Sequence, residues 1–228
     1  MPEEVLKQGI SKIINSREFI IVIGLVIMPI MSFALIGTSE ESPLYTSISR
    51  IAWVLEHWWA TFIWGVSVMG AILWLTYKTV STGPLSKKAK HGILASQFTS
   101  SGLVLIGCLV FPAKSGSATP TLYNVLHDYV TIIFWITYGI GLFVYSVLLG
   151  KRDGFLGFLG LGLMSFTVFS SLFFIRQVIL PDSYVGASAV SEVYIINSLF
   201  IYLVVMYVAQ DYAAKCKADA NAFSSEKE

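Results

Sequence analysis

The sequence predicts an all-α polytopic membrane protein with six transmembrane helices and both termini in the cytoplasm. Three observations carry this. First, 55% of the 228 residues are hydrophobic and only 13% are charged, where a soluble domain has roughly 25% charged residues; mean hydropathy is +0.72. Second, runs free of Asp, Glu, Lys and Arg recur six times, each near the ~20 residues that cross a hydrocarbon core as a helix. Third, Lys and Arg fall almost entirely on alternate connecting segments. The same figures exclude a water-soluble enzyme and a disordered tail. A net charge of +1 offers no field for a nucleic acid.

The first segment, 1–17, reads as cytoplasmic. Pro2-Glu3-Glu4 is a helix start, and Leu6, Ile10, Ile13 and Ile14 share one face. That pattern suggests a short amphipathic helix on the membrane surface, with a frayed polar start as the alternative. Acidic residues and the lack of an apolar core argue against a signal peptide. The spans then lie between Glu18 and Glu40, Glu56 and Lys78, Lys90 and Lys114, Asp128 and Lys151, Asp153 and Arg176, and Glu192 and Asp211. They make one transmembrane domain, 18–213, followed by a cytoplasmic tail, 214–228. Alternating barrel patterns are absent, which leaves helices as the way to satisfy the backbone in lipid. The longest connections, 38–55 and 112–126, read as ordered outer loops, the first with a short interfacial helix near Ile48–Leu55.

Several features read as packing. Gly154, Gly157, Gly160 and Gly162 in span five allow close helix approach, either within the bundle or against a partner protein or second copy. Ser96, Gln97, Thr99, Ser100 and Ser101 give span three a polar inner half suited to interhelical hydrogen bonds. Six Trp residues suit two interfaces to anchor. Cys108 lies in an apolar run and Cys216 in the polar tail, so no disulfide between them is expected.

Orientation follows from charge. Twelve Lys and Arg residues lie on the N-terminal, C-terminal and two intervening segments, against Arg50, Lys114 and Arg176 on the others. The positive-inside rule places the twelve in the cytoplasm.

Topology then gathers six polar residues at the outer interface: Glu56, His57, His127, Asp128, Arg176 and Glu192. Spans two, four and six each open with some of them, and spans two and four share a pattern of Val-Leu, a His/acid pair and a Trp (Trp64, Trp135) about two turns on. Acidic residues suit helix N-termini through the macrodipole, so an ordinary helix-end role explains Glu56, Asp128 and Glu192. It explains less well the two histidines and the lone arginine. The functional reading is a ligand-binding pocket lined by all six. His57, His127, Asp128 and Glu192 have the ligand types of a zinc-like metal site, although no H-x-x-x-H spacing occurs. Without a metal, His127, Asp128 and Glu192 are the acid/base candidates, and Arg176 would pair with a lipid phosphate. No charge lies in mid-membrane, which argues against ion pumping.

Some stretches resemble the FRAG/DRAM/SFK-like superfamily and its prokaryotic six-span relatives. They are Tyr45-Thr46-Ser47-Ile48-Ser49-Arg50-Ile51-Ala52, then Gly107-Cys108-Leu109-Val110-Phe111-Pro112 followed by His127, then Ala189-Val190-Ser191-Glu192. The resemblance implies a lipid-related role and carries His127 and Glu192 over as site positions. The resulting expectation is a plasma-membrane protein whose outer-leaflet pocket binds or organises a lipid or amphiphile. An intramembrane metal-assisted lipid hydrolase and a non-catalytic subunit docking a partner through the fifth span are the alternatives.

Overall fold

The computed structural model describes residues 11–40, 42, 47–53, 57–110, 122–179 and 189–225, with backbone only at 49, 50, 53, 108–110, 122–125, 127, 128, 170–179 and 220–225. Among these residues the chain is all-helical. The principal helices are α1 (Arg17–Gly37), α2 (Ile48–Trp53), α3 (Trp58–Thr82), α4 (Lys87–Val110), α5 (Leu122–Gly150), α6 (Gly154–Ile179) and α7 (Ala189–Ser225). Helix α2 falls where the sequence suggests a short interfacial helix. The surface helix expected at the N-terminus falls largely on 1–10, outside the described residues; 11–14 are helical.

Local chemistry sets the helix ends. The Ser16 hydroxyl accepts the Phe19 N–H at 3.2 Å, and Glu18 sits in the first turn of α1, a favourable cap and charge for an N-terminus. Residues Ile23–Ile27 then form one wide π turn, with the Met28 N–H bonded to the Ile23 carbonyl. Pro29 is the cause. It offers no N–H to the Leu25 carbonyl, and its ring would crowd that group in a regular helix; one widened turn relieves both. Gly83-Pro84 ends α3, and the Ser86 hydroxyl accepts the Ala89 N–H at 3.3 Å to start α4.

Short connections make chain neighbours antiparallel. Helix α3 packs on α4, α4 on α5, α5 on α6, α6 on α7, and α7 returns to α3, so five helices close a ring. Helix α1 lies against α3 and α7, and α2 packs on α3. Helix α7 is the most enclosed: 61% of its apolar window is buried, against 33–39% for the other three membrane-length helices.

Those four helices, Arg17–Gly37, Trp58–Thr82, Tyr129–Gly150 and Ala189–Asp219, are long and apolar enough to cross a membrane. Helix α4 is less apolar because Ser96, Gln97, Thr99, Ser100 and Ser101 occupy its middle. On the outside, Phe33, Ile63, Phe143, Phe155, Phe158 and Phe169 are each more than half exposed. Such a surface is a liability in water and the solvated face in a bilayer. The chain is a transmembrane helical protein.

The ring's interior is polar at its middle. Tyr138, Tyr145 and Tyr202 are fully or nearly fully enclosed. The Thr76 and Tyr138 hydroxyls bond to each other, the Thr79 hydroxyl donates to the Leu203 carbonyl at 3.0 Å, and the Ser146 and Tyr202 hydroxyls meet at 2.8 Å. Tyr145 Oη lies 2.8 Å from the Thr79 carbonyl and 2.9 Å from the Gln210 amide. The two acceptors, the Thr79 carbonyl and Gln210 Oε1, share the single phenolic proton of Tyr145. Gln97 Nε2 donates to the Tyr138 carbonyl at 2.9 Å, and Gln97 Oε1 has no partner among the described residues. Of span three's polar residues, Gln97 thus bonds across helices, while the Ser100 hydroxyl donates to the Gln97 carbonyl of its own helix at 3.1 Å.

Glycines serve contact inside the bundle. A Cβ at Gly157 would overlap Gly150 of α5, and one at Gly160 would come within 2.6 Å of Ser146 Oγ. Two of the four glycines of span five are thus spent within the chain, while Gly154 and Gly162 meet nothing within 4 Å. At the α5–α6 turn, Asp153 Oδ1 accepts the Leu156 N–H at 3.2 Å and Oδ2 pairs with Lys217 of α7 at 3.1 Å. The Lys217 ammonium and the Leu156 amide hold the Asp153 carboxyl below its ordinary range.

Candidate functional site

A cavity of about 400 Å³ occupies the end of the ring where α3, α5 and α7 begin. Helix α3 supplies its longest wall, with Trp58, Phe62, Gly65, Val66, Met69 and Ile72 recurring every three or four residues, one face of the helix. Helix α5 adds Thr131, Phe134 and Trp135; α4 adds Val104 and Leu105; α7 adds Glu192 and Ile196; and Ile48 and Ala52 of α2 close one side. The lining is apolar but for Thr61, Thr131, the Trp indoles and Glu192. Trp64 turns its indole N–H away, to Ser32 Oγ of α1 at 2.9 Å, and Thr61 gives its hydroxyl to the His57 carbonyl at 3.2 Å.

Glu192 stands in the first turn of α7. Its Oε2 accepts the N–H of Ile48, the first residue of α2, at 2.8 Å. One half-buried carboxylate thus serves two helix starts, each with donor groups and a positive dipole end. It also fixes α2 over the cavity.

The remaining polar candidates are placed less fully. His57 immediately precedes α3. Its N–H reaches the Ile51 carbonyl at 3.2 Å and its carbonyl accepts the Thr61 N–H at 3.1 Å, so its backbone joins α2 to α3. Its imidazole makes no cap bond to the helix. His127 and Asp128 lie on α5, one turn before Thr131, with side chains outside the described set. Helix α5 starts at Leu122, so Asp128 stands nearly two turns inside it. The macrodipole explanation, which fades beyond the first turn, does not cover that residue. Arg176 lies on the backbone of α6 with its side chain outside the described set, and Glu56 falls outside the described residues. Among the described residues no three His, Cys, Asp or Glu side chains come together.

Sequence reasoning selects Glu192 and notices the Trp64/Trp135 parallel, and all three residues line the cavity. It misses the apolar wall of α3. Lipid tails and a greasy pocket demand the same residues at the same helical spacing, so no pattern distinguishes them. No family model matches the chain, and neither curated proteins nor solved structures show a significant similarity to it.

Proposed function

We propose that the chain is a six-span plasma-membrane protein, termini cytoplasmic, whose outer-leaflet cavity binds or organises a lipid or amphiphile. The observation that carries this reading is a cavity of about 400 Å³ walled by three Trp, two Phe and aliphatic side chains, with one carboxylate, Glu192, among its lining residues. Its size is in the range of roughly 300–1,000 Å³ usual for small-molecule sites, and its predominantly apolar wall with few polar groups is the usual composition. Charge asymmetry supports the outer placement, because the cavity end carries few Lys and Arg and the Asp153 end carries many. The resemblance to a superfamily with lipid-related roles points the same way. Candidate polar contacts for the headgroup are Glu56, His57, His127, Asp128, Arg176 and Glu192.

The test is lipid retention. A Cβ added at Gly65 meets nothing within 4 Å, and Gly65 lines the cavity, so Gly65→Leu fills it without a backbone clash. Gly70 is equally open on the exposed side of α3, so Gly70→Leu is the control. Mass spectrometry of protein purified in mild detergent should find a lipid retained by wild type and Gly70→Leu and depleted in Gly65→Leu. Equal retention in all three would refute the reading.

A further inference from the structure

The cavity has a roof and an open side. The roof is α2: Ile48 and Ala52 line the cavity from above, Ile51 is fully buried beside them, and the Glu192 carboxylate holds the Ile48 N–H. The side is α3. Trp58, Phe62 and Val66 line the cavity and are at the same time 42%, 42% and 46% exposed. A residue that touches both the interior and the exterior marks an opening. These three recur at four-residue spacing, so the opening is a slot about 12 Å long, at 1.5 Å per residue. Its rim is apolar. It lies along a helix that is apolar enough to cross a membrane, with Trp58 and Trp59 stacked at 3.8 Å at the helix start, where an interfacial aromatic pair belongs. Below that pair, the medium facing the slot is hydrocarbon.

We infer that the cavity is filled sideways from the bilayer by the acyl chain of a membrane lipid, rather than from the aqueous side. The inference rests on the lipid-pocket reading and adds the ligand class and the route. A chain entering through the slot passes an apolar rim, and of the polar groups in the lining Trp64 and Thr61 already direct their donors to Ser32 and His57. A water-borne ligand entering past α2 would break the Glu192–Ile48 bond. The cavity volume suits one chain, so the rest of the lipid stays in the surrounding leaflet.

Trp64 is the reporter, since it lines the cavity yet is only 9% exposed. A variant with Trp64 as its single tryptophan, the others replaced by Phe, is reconstituted in phosphatidylcholine vesicles. Chain-brominated phosphatidylcholine and aqueous iodide serve as quenchers. The brominated chains should quench Trp64, the quenching should be lost in Gly65→Leu, and iodide should have little effect. Quenching by iodide alone, lost in Gly65→Leu, would overturn lateral entry and open the cavity to water. The amphiphile reading then stands if wild type still retains a lipid that Gly65→Leu does not. Quenching by neither overturns the route, and unchanged lipid retention in Gly65→Leu overturns the reading as well. If the single-Trp chain fails to fold, the same question is put to wild type with chain-spin-labelled phosphatidylcholine. Its immobilised fraction should fall in Gly65→Leu and persist in Gly70→Leu; no difference between the two variants refutes lateral entry.

Discussion

Replacing the fully buried Gln97 by methionine should leave the fold as stable as before, or more so. Among the described residues Gln97 makes one hydrogen bond with its amide, Nε2 to the Tyr138 carbonyl at 2.9 Å, while its Oε1 is buried without a partner. Turning the amide over does not help, because a carbonyl only accepts. Interhelical side-chain hydrogen bonds in membranes average about 0.6 kcal/mol, with a maximum near 1.7. An unpaired buried acceptor costs about 1–3 kcal/mol. Against the average bond the balance is roughly 0.4–2.4 kcal/mol in favour of methionine. Tyr138 keeps its mid-helix place in the α5 ladder, so the loss of Nε2 strands nothing. Shape also permits the exchange. Gln97 lies over Gly141, where a Cβ would overlap its Nε2; the site admits a long unbranched side chain, and methionine is one. The assay is reversible unfolding in mixed detergent micelles followed by far-ultraviolet circular dichroism. A loss of more than about 2 kcal/mol, more than the bond itself is worth, would refute the reasoning and show that Oε1 has a partner in the folded protein.

Three further outcomes are expected. Gly157→Leu should destabilise by about 1–3 kcal/mol or more, the range for overpacking, since its Cβ meets the Gly150 backbone, while Gly162→Leu, with nothing within 4 Å, should not; thermal unfolding in detergent distinguishes them. Asp153→Ala removes a helix cap worth about 0.5–2 kcal/mol. Because the folded Asp153 pKa is depressed by Lys217 and the Leu156 amide, its contribution is full above the ordinary 3.8 and is lost as pH falls through the lower folded value; an acid titration of wild type should show that slope and Asp153→Asn should lack it. Glu192→Ala removes a charge-assisted bond worth about 1.5–3 kcal/mol and should loosen α2, so that a cysteine placed at the buried Ala52 reacts faster with a maleimide; an unchanged rate would mean that Glu192 does not hold the roof.

Much of the fold can be read from the chain. Four of the expected spans coincide with helices of membrane length and apolarity, and the short helix at Ile48 was expected from the sequence. So was close packing of the span-five glycines, which Gly157 and Gly160 display against α5. Burying the backbone in hydrocarbon demands a long uninterrupted apolar run, so hydropathy along the sequence records where helices lie. It records their ends poorly. Charges delimit apolar runs but do not stop helices, and α5 accordingly starts at Leu122 rather than near Asp128. The π turn in α1 was not expected, although Pro29 supplies its cause.

The sequence by itself determined that the protein lives in a membrane and which segments are helical, because transfer into lipid depends on local composition. Only the tertiary structure decided that α3 to α7 close a ring, that Glu192 ties down α2, and that one face of α3 walls a cavity while its neighbours face the bilayer. The physical reason is that hydrocarbon and a greasy pocket are nearly the same solvent. Residues that pack against either have the same composition and period, and only the positions of the other helices tell the two faces apart.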